Sequence, residues 1–106
     1  MSLIPKDLRG VVYCTSLKHG GEDEWDFLWK KYQNSNVATE KNTILSALGC
    51  SSEIWILSRY LEWSLDDTKI RRQDSSTVFS SVARNDVGYY IAKNFFYDNV
   101  KQIFKQ

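Results

Sequence analysis

The sequence predicts an all-α fold, and three observations lead to that prediction. Apolar residues recur at spacings of three and four through most of the 106 residues, which places them on one face of a helix. No alternating apolar and polar run supplies a pair of strands. Helix-breaking or turn-forming residues separate the apolar segments at regular intervals, namely Pro5, Gly20-Gly21, 34–36, 49–52, 66–67 and 85–86.

The first two helices are predicted on either side of the Gly20-Gly21 pair. The first runs from Leu8 to His19, and we expect glycine to end it in the left-handed conformation, which costs glycine little. Its stacked apolar face comprises Leu8, Val11, Val12 and Thr15. The second helix shows the clearest spacing in the chain, with Trp25, Leu28, Trp29 and Tyr32 on one face.

Two further helices are predicted before the Asp66-Asp67 break. The third has Lys41, Ile44, Leu45 and Leu48 on one face, and the fourth has Ile54, Leu57, Leu61 and Leu65. Trp55 and Trp63 fall off the main face of the fourth helix. Ser51 or Ser52 is the expected N-cap of that helix.

The last two helices follow the longest link, residues 66–74. Asp74 or Ser75 is the expected N-cap of the fifth helix, whose face comprises Val78, Phe79, Val82 and Ala83. The final segment carries Val87, Ile91, Phe95, Phe96, Val100, Ile103 and Phe104. We expect this segment to leave an apolar face at the end of the array.

The helices pair into about three antiparallel hairpins over 6–34, 37–65 and 75–105. Hairpins of this length laid side by side predict a HEAT/armadillo-like right-handed superhelix, with 1–106 forming a single domain. No internal sequence repeat supports this arrangement, so a compact six-helix bundle is the alternative.

Charge and hydropathy exclude several classes of protein. The formal net charge is +1 with both signs interspersed, so no basic stripe exists for nucleic acid. No apolar run reaches the roughly 20 residues that span a bilayer. The start at Met1 resembles neither a signal peptide nor a natural terminus, so we expect a piece of a larger protein.

The residues that carry chemistry are few. His19 is the only histidine, and its place at a helix C-terminus suits the helix dipole. A zinc site needs three or four ligands, and neither Cys-x-x-Cys nor His-Glu-x-x-His occurs. The acidic run Glu22-Asp23-Glu24 suits the first turn of a helix. We therefore expect no catalytic residue and no metal in this chain, which argues against a small helical enzyme.

The run Arg71-Arg72-Gln73-Asp74 is the most concentrated polar motif. An Arg–Asp pair would hold the link between the second and third hairpins, and a clamp for a substrate carboxylate is the alternative. Cys14 and Cys50 are either small buried thiols or a disulfide, and their spacing alone does not decide between the two.

Several motifs resemble the aminopeptidase N type of zinc aminopeptidase. They include Tyr13-Cys14 and the run Gly20-Gly21-Glu22-Asp23-Glu24-Trp25-Asp26-Phe27. They occur in the order found in that family and extend from about Leu8 to Val100. The others are Ala47-Leu48-Gly49-Cys50, Trp55-Ile56-Leu57-Ser58-Arg59-Tyr60-Leu61, Ile70-Arg71-Arg72-Gln73-Asp74, and Val82-Ala83-Arg84-Asn85 with Gly88.

The resemblance implies the C-terminal helical domain of a peptide-cleaving ectoenzyme. In such enzymes the zinc and the catalytic residues lie in an earlier domain, and the helical domain caps the active-site cavity. It also implies a disulfide between Cys14 and Cys50, an extracellular, membrane-anchored parent, and the parent's other domains as partners. Arg59, Arg71 and Arg72 are the weak candidates for peptide contact. An independent helical-repeat interaction module is the alternative.

Overall fold

A computed structural model describes residues 8–100, and within them the chain is all-helical without a strand. A short 3-10 helix, Arg72–Asp74, precedes the fifth α-helix. The predicted all-α class is confirmed. The α-helices of this part of the chain are α1 Arg9–His19, α2 Glu22–Asn34, α3 Ala38–Leu48, α4 Ile54–Trp63, α5 Ser75–Ala83 and α6 Tyr89–Asp98.

α3 packs against α1, α2 and α5, while α4 packs against both α5 and α6. This arrangement is that of an all-α superhelical fold. The HEAT/armadillo type, its right hand and the division into one domain stay predictions. The outer limits of the predicted hairpins, residue 6 and residue 105, lie outside the described residues.

The core is built from the faces that the apolar spacing predicts for α2, α3 and α5. All four predicted residues of α2 are buried, and Ile44, Leu45 and Leu48 of α3 are fully buried. Trp25 stacks on Trp29 with ring centroids 5.8 Å apart. These helices therefore meet along the stripe that the sequence marks.

The predicted face of α1 is wrong. Val11 is 60% exposed, and Leu8, Val12 and Thr15 are also exposed. Leu17 is the buried residue of α1, and Tyr13 packs against the core beside it. Gly10 and Cys14 lie on the same side of α1 as Leu17. Gly10 approaches α3, and Cys14 is bonded to the turn after α3. The core-facing side of α1 is therefore the side of these three residues.

The predicted left-handed end of α1 is also wrong, because no described glycine has a positive φ. Gly20 is extended, and a Cβ atom built there would lie 2.8 Å from the backbone oxygen of Ser16 and 2.7 Å from Glu24 Oε1. Close approach, not backbone handedness, requires glycine at this position. The Glu24 carboxylate accepts a hydrogen bond from the Gly21 N–H, which starts α2.

The predicted caps of α4 and α5 need correction. Glu53, not Ser51 or Ser52, occupies the N-cap position of α4. The Ser51 hydroxyl instead accepts a hydrogen bond from the Glu53 N–H at 3.1 Å. Asp74 does occupy the N-cap position of α5, but its carboxylate makes no capping hydrogen bond. The nearby Arg71 guanidinium engages that carboxylate instead.

The buried face of α4 also differs from the predicted one. Ile54 is 58% exposed because the helix begins there, and Ile56 and Tyr60 are buried with Leu57 and Leu61. Trp55 and Trp63 do lie off this face. Trp55 is half-exposed, and Trp63 packs against Trp29 at 4.9 Å between ring centroids.

The last helix exposes two aromatic side chains, whereas Ile91, Phe95 and Phe96 of the predicted face are partly buried. Tyr90 is 69% exposed and Tyr97 is 65% exposed, with a cavity of about 280 Å³ between α5 and α6. Ile103 and Phe104 of the predicted face lie outside the described residues. Within residues 8–100, no helix has the length and hydropathy to cross a bilayer.

Candidate functional site

A disulfide between Cys14 and Cys50 joins α1 to the turn that follows α3. The two Cα atoms are 5.2 Å apart, and the cysteines are separated by 36 residues in sequence. Of the two alternatives that the sequence left open, the structure has the bonded pair that the family resemblance implies.

A groove of about 660 Å³ lies beside this disulfide. Its walls come from α1, α3, the turn after α3, and the segment from α5 to α6. Three charged residues line it, and neither Lys18 nor Arg84 forms an ion pair with Asp86 or with any other described residue. The lining residues are Gly10, Val11, Cys14, Lys18, Thr43, Ser46, Ala47, Gly49, Cys50, Ser52, Ser81, Arg84, Asn85, Asp86 and Val87.

One rim of the groove is fixed by Asn85. Its Nδ2 donates to the backbone oxygens of Gly49 at 2.8 Å and Ser51 at 2.7 Å, while its Oδ1 accepts from the Val87 N–H. One amide side chain thus ties the turn after α5 to the turn after α3. All three partners of the Asn85 side chain are backbone atoms. The rim therefore depends on how the two turns are placed by the fold.

The helices behind this rim approach closely. A Cβ atom built at Gly49 would collide with Ser81 Oγ and lie 2.8 Å from the Ser81 carbonyl carbon. The Ser81 hydroxyl donates to the backbone oxygen of Ser46. At Gly88, a Cβ atom would lie 2.6 Å from the backbone oxygen of Val82. These contacts explain why glycine occurs at both positions.

Arg59, the first of the predicted peptide-contacting residues, lies between α2 and α4. Its guanidinium is 3.5 Å from Glu22 and 3.4 Å from Asp26. Its Cζ atom also lies over the rings of Trp25, Trp55 and Trp63 at 4.9, 5.2 and 4.7 Å. The structure therefore gives Arg59 a role in joining two helices, and it is not among the groove residues.

Arg71 and Arg72 are engaged near the start of α5. Arg71 Nε is 3.0 Å from the buried carboxylate of Asp74, so the Arg–Asp pair expected for the link is present. Arg72 Nε is 3.7 Å from Asp67, and both of these side chains are more than half exposed. The link is further held by the Ser75 hydroxyl, which donates to the backbone oxygen of Ser64 at 2.7 Å.

The three arginines have separate carboxylate partners. Arg59 pairs with Glu22 and Asp26, Arg71 with Asp74, and Arg72 with Asp67.

Two tyrosines have shifted ionisation. Burial raises the pKa of Tyr60 well above its ordinary value, with smaller contributions from Tyr32 and Asp74. The Tyr60 hydroxyl donates to the backbone oxygen of Leu45 at 2.6 Å, so the neutral phenol is the form that fits. The pKa of Tyr32 is raised by burial and by Asp74, and Arg71 opposes this. Neither tyrosine lines the groove.

The described residues do not fit a metal ion. Nowhere in 8–100 do three or more His, Cys, Asp or Glu side chains come together in a group that could hold one. His19 is the exposed last residue of α1. Glu22, Asp23 and Glu24 form the first turn of α2, as expected for acids near a helix N-terminus.

Lys18, Arg84, Asn85 and Asp86 are residues that the sequence analysis did not select for a site. Arg84 entered it only as part of a motif, and Asn85 and Asp86 also entered it as a break between two helices. The signal that could have found them is the Asn85-Asp86 break between two helices, since an Asn at such a break commonly bonds nearby backbone.

Comparison with known proteins identifies the family. The profile of the ERAP1-like C-terminal domain matches residues 1–106. The chain belongs to the ERAP1-like C-terminal domain family.

Members of known name show the same relationship. The chain is 41% identical to aminopeptidase Ey of Gallus gallus over 97% of its length, and 39% identical to aminopeptidase N of Homo sapiens over 95%. It is 40% identical to the thyrotropin-releasing hormone-degrading ectoenzyme of Rattus norvegicus over 92%. It covers 11%, 10% and 9% of these relatives, respectively, so it spans about a tenth of their length.

Proposed function

We propose that this chain is a non-catalytic C-terminal domain of a zinc aminopeptidase that removes N-terminal residues from peptides. The observation that carries the proposal is the match of the whole chain to the family, together with 39–41% identity to aminopeptidases over nearly its full length. Its partners are the catalytic domain and the other domains of the parent enzyme. The zinc belongs to that catalytic domain, because the described residues of this chain do not fit a metal ion.

The domain bounds the cavity in which the peptide is cut, and the groove beside the disulfide forms part of the cavity wall. Two features support this placement. The groove has a rim fixed by Asn85, and it presents the cations Lys18 and Arg84 without an ion-pair partner among residues 8–100. Such cations suit the carboxylates of a peptide. Arg59, Arg71 and Arg72 suit them less, because each already pairs with a carboxylate of this chain.

The parent acts outside the cell, anchored to the membrane. The name of one relative, an ectoenzyme, supports this location. The disulfide supports it as well, since disulfides persist in oxidising compartments.

A chimeric enzyme tests the proposal. In human aminopeptidase N the matching segment is replaced by this chain, and hydrolysis of an alanyl chromogenic substrate is measured. We expect kcat/KM to stay within about tenfold of the unmodified enzyme, a change of about 1.4 kcal/mol or less in transition-state stabilisation. A chimera that is folded and secreted but inactive would contradict the proposal. The isolated chain should show no turnover with or without zinc, and zinc-dependent turnover would contradict a non-catalytic role.

The groove is tested in the same chimera with the double variant Lys18→Ala/Arg84→Ala. We expect KM for a peptide of eight to ten residues to rise about tenfold, from the loss of charged hydrogen bonds, while the small chromogenic substrate is unaffected. Arg72→Ala is the matched control, since it removes a cation that is outside the groove. An equal effect of both changes would show that the groove does not contact peptide.

A second candidate is an independent helical-repeat interaction module. The exposed Tyr90 and Tyr97 and the cavity between α5 and α6 favour it, because large apolar patches mark interaction surfaces. Sedimentation of the isolated chain separates the two. A clean monomer with no tendency to associate favours a self-capped module, and association favours a domain whose apolar surface is covered in the parent.

A further inference from the structure

The disulfide is a covalent tie between α1 and the turn that follows α3. Leu17 is the one buried residue of α1, whereas α2 and α3 bury four residues each. The Ser52 hydroxyl donates to the Lys18 backbone oxygen at 2.8 Å. No ion pair joins α1 to another described element. By side-chain burial, α1 therefore contributes less to the core than α2 or α3 does, although its backbone runs close to that of α3.

The position of α1 makes it separable. Its main contacts with other helices are those with α3 and α2. Its apolar Leu8 and Val11 are 46% and 60% exposed, so they contribute little to burial. Elements with few buried contacts open locally before the whole domain unfolds.

The disulfide can be reached by a reductant. Cys14 and Cys50 both line the groove, and both are partly exposed. Lys18 lies one helical turn from Cys14 and lines the same groove, as does Arg84. Cations near a disulfide favour thiolates, both the attacking one and the one that leaves.

We propose that Cys14–Cys50 is a reducible latch, which a dithiol entering the groove opens and whose opening releases α1 while α2–α6 stay folded. A thiolate of the dithiol attacks one cysteine Sγ, the S–S bond breaks, and a mixed disulfide forms. The other cysteine leaves as a thiolate and takes a proton from water. The second thiolate of the dithiol then attacks the mixed disulfide and releases the remaining cysteine. Two electrons and two protons pass from the dithiol to the cysteines.

Release of α1 changes the groove. The wall that α1 contributes to the groove consists of Gly10, Val11, Cys14 and Lys18. When α1 is released, the groove loses this wall. The Asn85 rim remains, because its hydrogen bonds join segments outside α1. The latch therefore couples thiol chemistry to the shape of one groove.

Hydrogen exchange on the full 106-residue chain tests the proposal. The oxidised chain is compared with chain reduced by dithiothreitol and alkylated. We expect exchange in residues 13–19 to accelerate at least about tenfold, and exchange in 25–32 and 44–48 to change less than about threefold. Unchanged exchange in α1 would overturn the proposal. Equal acceleration in all helices would also overturn it, because the disulfide would then hold the whole domain.

Two sets of variants sharpen the test. Cys14→Ala/Cys50→Ala should reproduce the exchange pattern of the reduced chain, and an unfolded double variant would overturn the proposal. Lys18→Gln should slow reduction by dithiothreitol about threefold or more through loss of the nearby cation. Lys30→Gln, an exposed lysine of α2 outside the groove, is the control. Equal rates for these two lysine variants would contradict access through the groove.

Discussion

The indole Nε1 of Trp25 donates a hydrogen bond to the backbone oxygen of Leu48 across 2.9 Å in the buried core. Both side chains are fully buried. The bond satisfies a carbonyl at the C-terminal end of α3, where the helix itself offers no donor. It therefore fixes the first turn of α2 to the C-terminal end of α3, next to the turn that contains Cys50.

Replacing Trp25 with Phe should lower the free energy of unfolding by about 2–4 kcal/mol. The change leaves the Leu48 carbonyl without its donor and opens a cavity beside Trp29 and Trp63. Urea denaturation followed by far-UV circular dichroism measures the effect. Trp55→Phe is the control, and it should cost less than about 0.5 kcal/mol because Trp55 is half-exposed. Equal costs would show that the buried hydrogen bond and packing of Trp25 do not matter.

Gly49→Ala should destabilise the chain by about 1–3 kcal/mol, because the added methyl group meets the backbone and side chain of Ser81. Gly10→Ala provides the matched control, since the nearest heavy atom to its Cβ is 3.5 Å away on Thr43. Within helix α1, alanine should stabilise by about 0.5–1 kcal/mol. Thermal and urea unfolding of both variants measure the difference. A neutral Gly49→Ala would mean that α3 and α5 can separate at no cost.

Arg59→Ala should cost about 1–2 kcal/mol, more than a surface ion pair is worth. The side chain is three-quarters buried in the contact between α2 and α4, and its guanidinium lies over the rings of Trp25 and Trp63. Arg72→Ala, which removes a pair with both side chains over 60% exposed, should cost less than about 0.5 kcal/mol. Urea midpoints at low and high salt measure both. Equal costs for the two would indicate that the aromatic contacts add nothing.

The chain should lose stability at alkaline pH because of Tyr60. Its pKa is raised in the folded state, so the folded chain holds this proton more tightly than the unfolded chain does. The stabilisation is fully present below about pH 10, the ordinary pKa of tyrosine, and is lost as pH rises above it. Urea midpoints at pH 9 and pH 11 measure the loss.

Matched variants separate Tyr60 from other groups that titrate at alkaline pH. The fall in stability should be shallower in Tyr60→Phe, which has no phenol to ionise there. It should be unchanged in Tyr90→Phe, because Tyr90 is 69% exposed. An unchanged fall in Tyr60→Phe would assign the effect to another group.

Apolar spacing predicted the buried residues of α2 and α3 and two of the four in α5, where Phe79 and Ala83 are only partly buried. It failed for α1, where Gly10, Cys14 and Leu17 make the contact. Glycine and cysteine carry little weight in a hydropathy pattern, so the more apolar Val11 and Val12 defined the wrong side. The spacing of apolar residues cannot predict a helix contact that depends on small side chains and on a disulfide to a distant cysteine.

The groove could not be predicted for a related reason. It is assembled from segments far apart in sequence, and its rim depends on Asn85 reaching two backbone oxygens 34 and 36 residues away. The predicted arginines were selected as cations within the motifs, without knowledge of their partners. The structure shows that Asp74 engages Arg71 and that carboxylates of α2 engage Arg59, so their charge is already compensated. Charge density along a sequence does not reveal which cations have partners.

All four tryptophans lie in α2 and α4, and the rings of Trp25, Trp29 and Trp63 are within 5.8 Å of one another between centroids. Their near-ultraviolet dichroism depends on this fixed packing and disappears when it is lost. An optical unfolding curve of the chain thus reports the joint between α2 and α4. Helix α1 contains no tryptophan, so its detachment leaves that signal intact.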